Sequence, residues 1–344
     1  MRWPRAGSSR QGYDDGIATI SHLQKIMTAE QYIKNELEKL KTPSDIKPED
    51  DLEAQIVRLL LSKKFRKYSA NEDLINHVKE SVHYCVEKSQ PINLTFLHGA
   101  YKLWRLEEAP EVDWAELFSL MYYSKYVKPI CEIYKPGVWF DFFVDDYIVE
   151  VLDNYKAEEI KAYIDSYQKL IDFLKPYQPK NLKMTITAVG SQFASREDFD
   201  QALEKQLEIT PMPELSEDSA RMVELNVRLA DGQPNDPKWR EKIYRIHDAY
   251  LAIKGGTGYH KNRPDKILVF NQPLPSGTTI SLGTTKSSIV KFWVGVGTLK
   301  PDKDTYKMII LSPKQLEETS CKWEDANIGL TGKNFTKIRI IDTK

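Results

Sequence analysis

Apolar residues recur at helical spacing over residues 29–40 and again over 52–65, where Leu52, Ile56, Leu59 and Leu60 share one face, and an acidic, proline-containing linker separates the two stretches. Residues 72–88 repeat the pattern with Leu74, Val78, Val82 and Cys85, which assigns His77 and His83 to the surface or the edge of a third helix. The period then changes. Residues 91–97 are a short apolar run bounded by Pro91 and by His98-Gly99, the signature of a buried strand. Asp113 next precedes the stripe Leu117, Leu120, Met121, Ser124 and Val127; with Glu116 three positions on it forms a capping box, so the spacing predicts a helix from there to about residue 133.

The alternation continues. A Tyr134-Lys-Pro-Gly turn leads into an aromatic strand over 138–144, Asp145-Asp146 turns the chain, and helices over 157–174 and 197–208 flank a half-exposed strand over 182–188. After a linker with two prolines at 209–216, helices are predicted over 217–229 and 237–254, the second opening on Pro237. The remainder is β-rich, with strands over 266–271, 278–282, 289–296, 306–311 and 337–341. Strands alternating with helices predict an α/β fold of Rossmann-like type: a mostly parallel sheet flanked by helices, with a β-rich C-terminal portion. The expected organisation is a tail or cloning remnant over 1–26, a helical segment over 27–88, an α/β core over 89–208, a helical linker or lid over 209–265, and a β-rich part over 266–344 packed on the core.

Composition narrows the function classes. With 344 residues, 41% of them hydrophobic, the chain can bury a sizeable core. Its 49 basic and 50 acidic residues leave a net charge of -1, so no global field calls for nucleic acid or an anionic membrane. Cys85, Cys131 and Cys321 include no CxxC pair, which argues against a disulfide framework or a structural zinc and for reduced thiols in the cytoplasm. No apolar run approaches the roughly 18 residues of a membrane span. The expectation is a cytoplasmic enzyme with a small-molecule, perhaps-phosphorylated substrate class, needing no cofactor or metal, and with no oligomeric state set by its residues.

Chemically able side chains are densest between Phe96 and Glu116. His98 can move a proton near neutral pH, and Lys102 and Arg105 can grip a phosphate or carboxylate beside Tyr101. Asp113 and Glu116 lie about one helical turn apart, placed for acid/base work, although capping alone would account for both. A glycine-rich basic loop over 254–263 offers Lys261 and Arg263 to an anion, or simply ends a helix. Over 281–297, the hydroxyls of Thr284, Thr285, Ser287 and Ser288 surround Lys286, with Trp293 as an apolar wall; a bulged hairpin would use the same residues. HExxH, GxSxG and GxGxxG are missing, which weakens zinc, serine-hydrolase and dinucleotide readings.

The order of these segments resembles the isocyanide synthase family of the pyoverdine and dityrosine biosynthesis type. The counterparts are Lys102 after a strand, Asp113 with Glu116 at a helix start, Tyr134 with Pro136 and Gly137 in a turn, and Asp145 with Asp146 after the next strand, over roughly residues 90 to 300. A nearer likeness is to uncharacterised bacterial proteins with a Gly-x-Tyr-Lys-x-Trp loop before Asp-Trp-Ala-Glu. The resemblance implies a Rossmann-like fold and a reaction joining an amino acid's amine to a carbon of a pentulose phosphate. In it Lys102 would form an imine or hold phosphate, and Asp113 or Glu116 would serve as acid or base. The chain departs from the family in having Gly-Ala-Tyr before Lys102, Val112 before Asp113, and Lys291-Phe-Trp-Val-Gly without a histidine. Two other classes fit the residues: a nucleotide or nucleotide-sugar transferase, and a non-catalytic binding or scaffold protein presenting Trp104 and Trp114.

Overall fold

The computed structural model describes residues 27–99, 111–227, 235–256, 263–270, 278–282 and 295–342. The expected tail over 1–26 lies outside them. Helix α1 (Ala29–Lys41) starts where the Thr28 hydroxyl accepts the Gln31 N–H, completing a capping box. Helix α2 (Leu52–Leu60) is capped by Asp51 and ends earlier than its periodicity predicts. The chain leaves it because residues 66 and 67 are claimed by a strand: Arg66 bridges Leu282, and the Lys67 N–H donates to Ser281 O at 2.8 Å. Helix α3 (Glu72–Glu87) buries the predicted stripe and His77 with it. That corrects the surface assignment of His77, whose Nε2 lies 3.0 Å from the Lys266 carbonyl. His83 is exposed, against Glu53.

Strand β1 (Ile92–Gly99), helix α4 (Trp114–Ile133), strand β2 (Val138–Asp145), helices α5 (Tyr147–Asp153) and α6 (Ala157–Leu174), and strand β3 (Leu182–Ala188) follow. Helices α7 (Arg196–Ile209), α8 (Glu217–Asn226) and α9 (Trp239–Gly256) lead to the short strands β4 (Ile267–Phe270) and β5 (Ile280–Ser281). These five strands form one sheet in the order β3-β2-β1-β4-β5, every pair parallel. Alternate side chains divide its faces. Phe96 and Phe142 pack on Tyr123 of α4 and Tyr167 of α6, with ring centroids 4.6 and 5.3 Å apart. The opposite face carries Thr95, Asp141, Thr185 and Thr187, and Asp141 accepts the Thr187 hydroxyl at 2.8 Å. Burial pushes the Asp141 carboxyl above its ordinary range.

A second sheet takes the order β7-β6-β9-β8, built from β6 (Val296–Asp302), β7 (Thr305–Leu311), β8 (Cys321–Asp325) and β9 (Lys337–Ile341), with the short helix α10 (Pro313–Glu317) after β7. Residues 266–344 therefore feed both sheets: β4 and β5 complete the parallel one and the rest forms the other. Helix α4 lies between them, which is why it is buried on nearly every side and not only along the predicted stripe. The contact is close. A Cβ on Gly297 of β6 would come within 2.5 Å of the Trp114 backbone.

Candidate functional site

In an all-parallel sheet of order β3-β2-β1-β4-β5, the chain winds outward in opposite directions from the β1/β4 boundary. The crossover helices on its two sides leave a crevice beyond the carboxyl ends of those strands. Three of the chemically dense or neighbouring loops depart from this edge: β1 ends at Gly99, β4 at Phe270 and β5 at Ser281. Phe270 pairs with Ser281, and β1 runs beyond the level of Val269 by three residues, Leu97 to Gly99. Two strand spacings, about 10 Å, separate β1 from β5, a width suited to a small molecule.

The β2 side of the same edge is ionic. Asp145, the last residue of β2, accepts from the Tyr250 hydroxyl and from Lys254 Nζ, the latter at 2.5 Å; both donors come from α9. Lys254 is only 3% exposed, and its ammonium lies 5.5 Å from the centroids of the Phe143 and Tyr250 rings. Sequestered from water, the pair interacts far more strongly than a surface ion pair. Asp146 turns toward β3, where its Oδ1 accepts the Gly190 N–H at 2.8 Å. A Cβ at residue 190 would meet Asp146 Oδ2 at 2.5 Å, so this approach needs glycine. Burial raises the Asp146 carboxyl above its ordinary range, against the pull of the backbone N–H groups of Gly190, Tyr147 and Asp146. The sequence marks Asp145 and Asp146 as a turn and as family counterparts, but it does not reveal Tyr250 or Lys254 as their partners. The one local trace is the four-residue spacing that sets Tyr250 and Lys254 on one helix face.

The sequence-derived candidates separate. His98 lies near the end of β1 in register with Val144, one residue before the Gly99–Asp145 pair. Tyr101, Lys102, Arg105, Thr284, Thr285, Lys286, Ser287 and Trp293 lie outside the described residues. Asp113 and Glu116 form the expected capping box: Asp113 Oδ1 accepts the Ala115 N–H at 2.7 Å, and Glu116 Oε2 accepts the Asp113 N–H at 2.9 Å. Glu116 is 0% exposed and its other oxygen accepts the Tyr163 hydroxyl at 3.1 Å, so it faces protein on all sides. Trp114 is buried too, with its indole N–H on the Lys337 carbonyl at 2.7 Å and its ring on Phe335. A scaffold surface built on Trp114 would need it exposed. Arg263 is paired with Asp265 at 2.5 Å and precedes β4, which puts it at the amino edge of the sheet and not across the crevice.

Among the described residues, no three His, Cys, Asp or Glu side chains converge as metal ligands, and no helix is long and apolar enough to cross a membrane. A cavity of about 610 Å³ between Tyr32, Lys39, Lys41, Pro43 and Thr305 lies beside α1, where Lys41 stacks on Tyr177 just before β3. It belongs to the amino edge, away from the strand ends above.

No family model matches the chain, and no curated protein matches it. Among solved structures, PvcA from Pseudomonas aeruginosa is similar with a TM-score of 0.60 at 14% identity, covering 85% of this chain and 100% of that one. The two share a fold. A tyrosyl-tRNA synthetase complexed with L-tyrosine from Archaeoglobus fulgidus aligns at a TM-score of 0.30 and 14% identity, over 63% of this chain and 55% of that one, which is too low to carry an argument.

Proposed function

We propose that this chain is an isocyanide-synthase-like enzyme that joins the amine of an amino acid, or a similar small amine, to a carbon of a phosphorylated sugar. The reaction would take place in the crevice at the carboxyl edge of the parallel sheet. The observation that carries it is the strand order β3-β2-β1-β4-β5, which gathers the ends of β1, β4 and β5 on one edge at a switch point. The segment order of the family it resembles and the fold shared with PvcA support the same architecture. In this proposal Lys102, in the segment that continues β1, forms the imine or contacts the phosphate. His98 moves the proton, while Asp145 and Lys254 keep the β2 side of the crevice rigid and polar. Asp113 and Glu116 hold the start of α4 and contribute by positioning.

The test is Lys102→Ala. Turnover of an amino acid with a pentulose phosphate should vanish while the melting temperature stays within about 1 °C of wild type, as for a surface substitution without a structural role. A folded and fully active Lys102→Ala protein would overturn the assignment. The Rossmann strand order also favours a second reading, a nucleotide or nucleotide-sugar transferase. Stabilisation by nucleotides but not by pentulose phosphates in a thermal shift would select it.

A further inference from the structure

Lys67 belongs to neither helix nor named strand, yet it is fixed beside the crevice. Its N–H donates to the carbonyl of Ser281, the last residue of β5, while the preceding Arg66 bridges Leu282 and the Leu282 N–H donates to Phe270 O at 3.1 Å. The segment between α2 and α3 thus continues the edge of the sheet past β5, about three strand spacings or 14 Å from β1. Arg66 is committed to this turn, its guanidinium donating to the carbonyls of Leu61 and Tyr68. Lys67 has no such engagement. Its Nζ is shut off from solvent and has no hydrogen-bond partner among the described residues; the nearest group of note is the Tyr68 ring, 5.6 Å away.

A shielded ammonium without an acceptor is costly unless something supplies one. Burial accordingly lowers the Lys67 ammonium to about 8, with no neighbouring carboxylate to hold it up. The other buried lysines of the core differ. Lys254 has Asp145, and Lys266 has Asp141 and Asp265 beside it.

We propose that Lys67 is an oxyanion anchor of this protein, binding a phosphate or carboxylate group of the substrate at the β5 end of the sheet's carboxyl edge. The anion completes the lysine's missing hydrogen bonds and stabilises its charged form, and the two backbone ties to β5 hold the residue at a fixed distance from the β1 loop. The inference deepens the function proposed above and rests on it for the location of the cleft.

The experiment reads anion binding and not turnover, so the two can fail separately. Melting temperatures of the full chain and of Lys67→Met are measured in inorganic phosphate and in acetate, each against sodium chloride at equal ionic strength. Wild type should be stabilised by one of the two anions, which identifies phosphate or carboxylate as the group held. Lys67→Met should lose that response, with an affinity at least about tenfold weaker, as expected for a charge-assisted hydrogen bond. Equal responses in both proteins, or none in wild type, overturn the anchor. A second measurement needs no folded Met variant: in wild type with ¹³C-dimethylated lysines, assigned by the absence of one signal in Lys67→Arg, the Lys67 signal should titrate below the other exposed lysines and move upward when the anion is added. A signal unmoved by both anions is equally fatal. If the anchor holds while Lys102→Ala remains fully active, Lys67 stays an anion site and only the proposed reaction falls.

Discussion

The two edges of the parallel sheet are built on opposite principles. The amino edge is closed mostly by neutral groups that satisfy one another: the Tyr134 hydroxyl reaches the carbonyls of Cys85 and Gln90, and the Asn181 amide reaches those of Cys131 and Tyr134. Gly137, at φ +78°, threads between them, because a Cβ there would lie 2.0 Å from Asn181 O. The carboxyl edge instead collects buried or half-buried ionisable groups: Asp145, Asp146 and Lys254 on the β2 side, and Lys67 beside β5. Neutral hydrogen bonds close a structure at little cost in desolvation, whereas buried charges subtract from stability unless paired. A fold that confines its least compensated charges to the edge where parallel sheets bind ligands has separated its stabilising end from its reactive one.

Three changes test that separation, beginning with the largest. Gly137→Ala forces both a left-handed backbone and a clash with a carbonyl, and should cost about 4 kcal/mol in urea unfolding while leaving the anion response of the folded fraction intact. Loss of that response in the folded protein would mean the edges are coupled. Next, Asp145→Asn leaves Lys254 buried without its counter-charge and should cost about 3 kcal/mol, part of which returns when Lys254→Met is added. A double variant no better than the single one would show that the pair does not act as a unit. The smallest effect is a slope with pH. Burial lowers Lys67 and Lys266 to about 8 from 10.5, so between those values the unfolded chain holds more protons than the folded one at both sites. Stability at these two sites therefore rises with pH through that window, and the deficit is fully present below about pH 8. An anion bound at Lys67 should flatten its share and leave that of Lys266, which already has Asp141 and Asp265 nearby. An unchanged slope in the presence of anion would place Lys67 in the same compensated class as Lys266.

Particular residues show how far the sequence reached. Strand β3 runs over the very residues 182–188 that alternate in polarity, and the Asp113–Glu116 capping box forms as its spacing predicts, because both signals are local to a few residues. Helix α2 ends before its apolar period does, because residues 66 and 67 pair with Leu282 and Ser281, far along the chain. The strand at Cys321–Asp325 was not foreseen; only one side of it pairs, with β9, and its side chains are largely half-exposed or exposed, so it lacks an apolar rhythm.

The candidate site divides along the same line. That loops rich in lysine, hydroxyl and aromatic residues would follow strands was readable from the order of apolar runs, since a strand and the loop that leaves it are neighbours in the chain. That β4 and β5 would pair beside β1, carry Arg263 to the wrong edge and bring Lys67 to the right one, was not. By itself the sequence determined the α/β class, most of the elements and the helix caps, all governed by periodicity and by hydrogen bonds spanning three or four residues. Tertiary structure alone decided which charges meet. Strand pairing and the burial of a lysine are set by contacts between segments with no local signal for one another, and only those contacts distinguish the paired Lys254 from Lys67, which has no acceptor among the described residues.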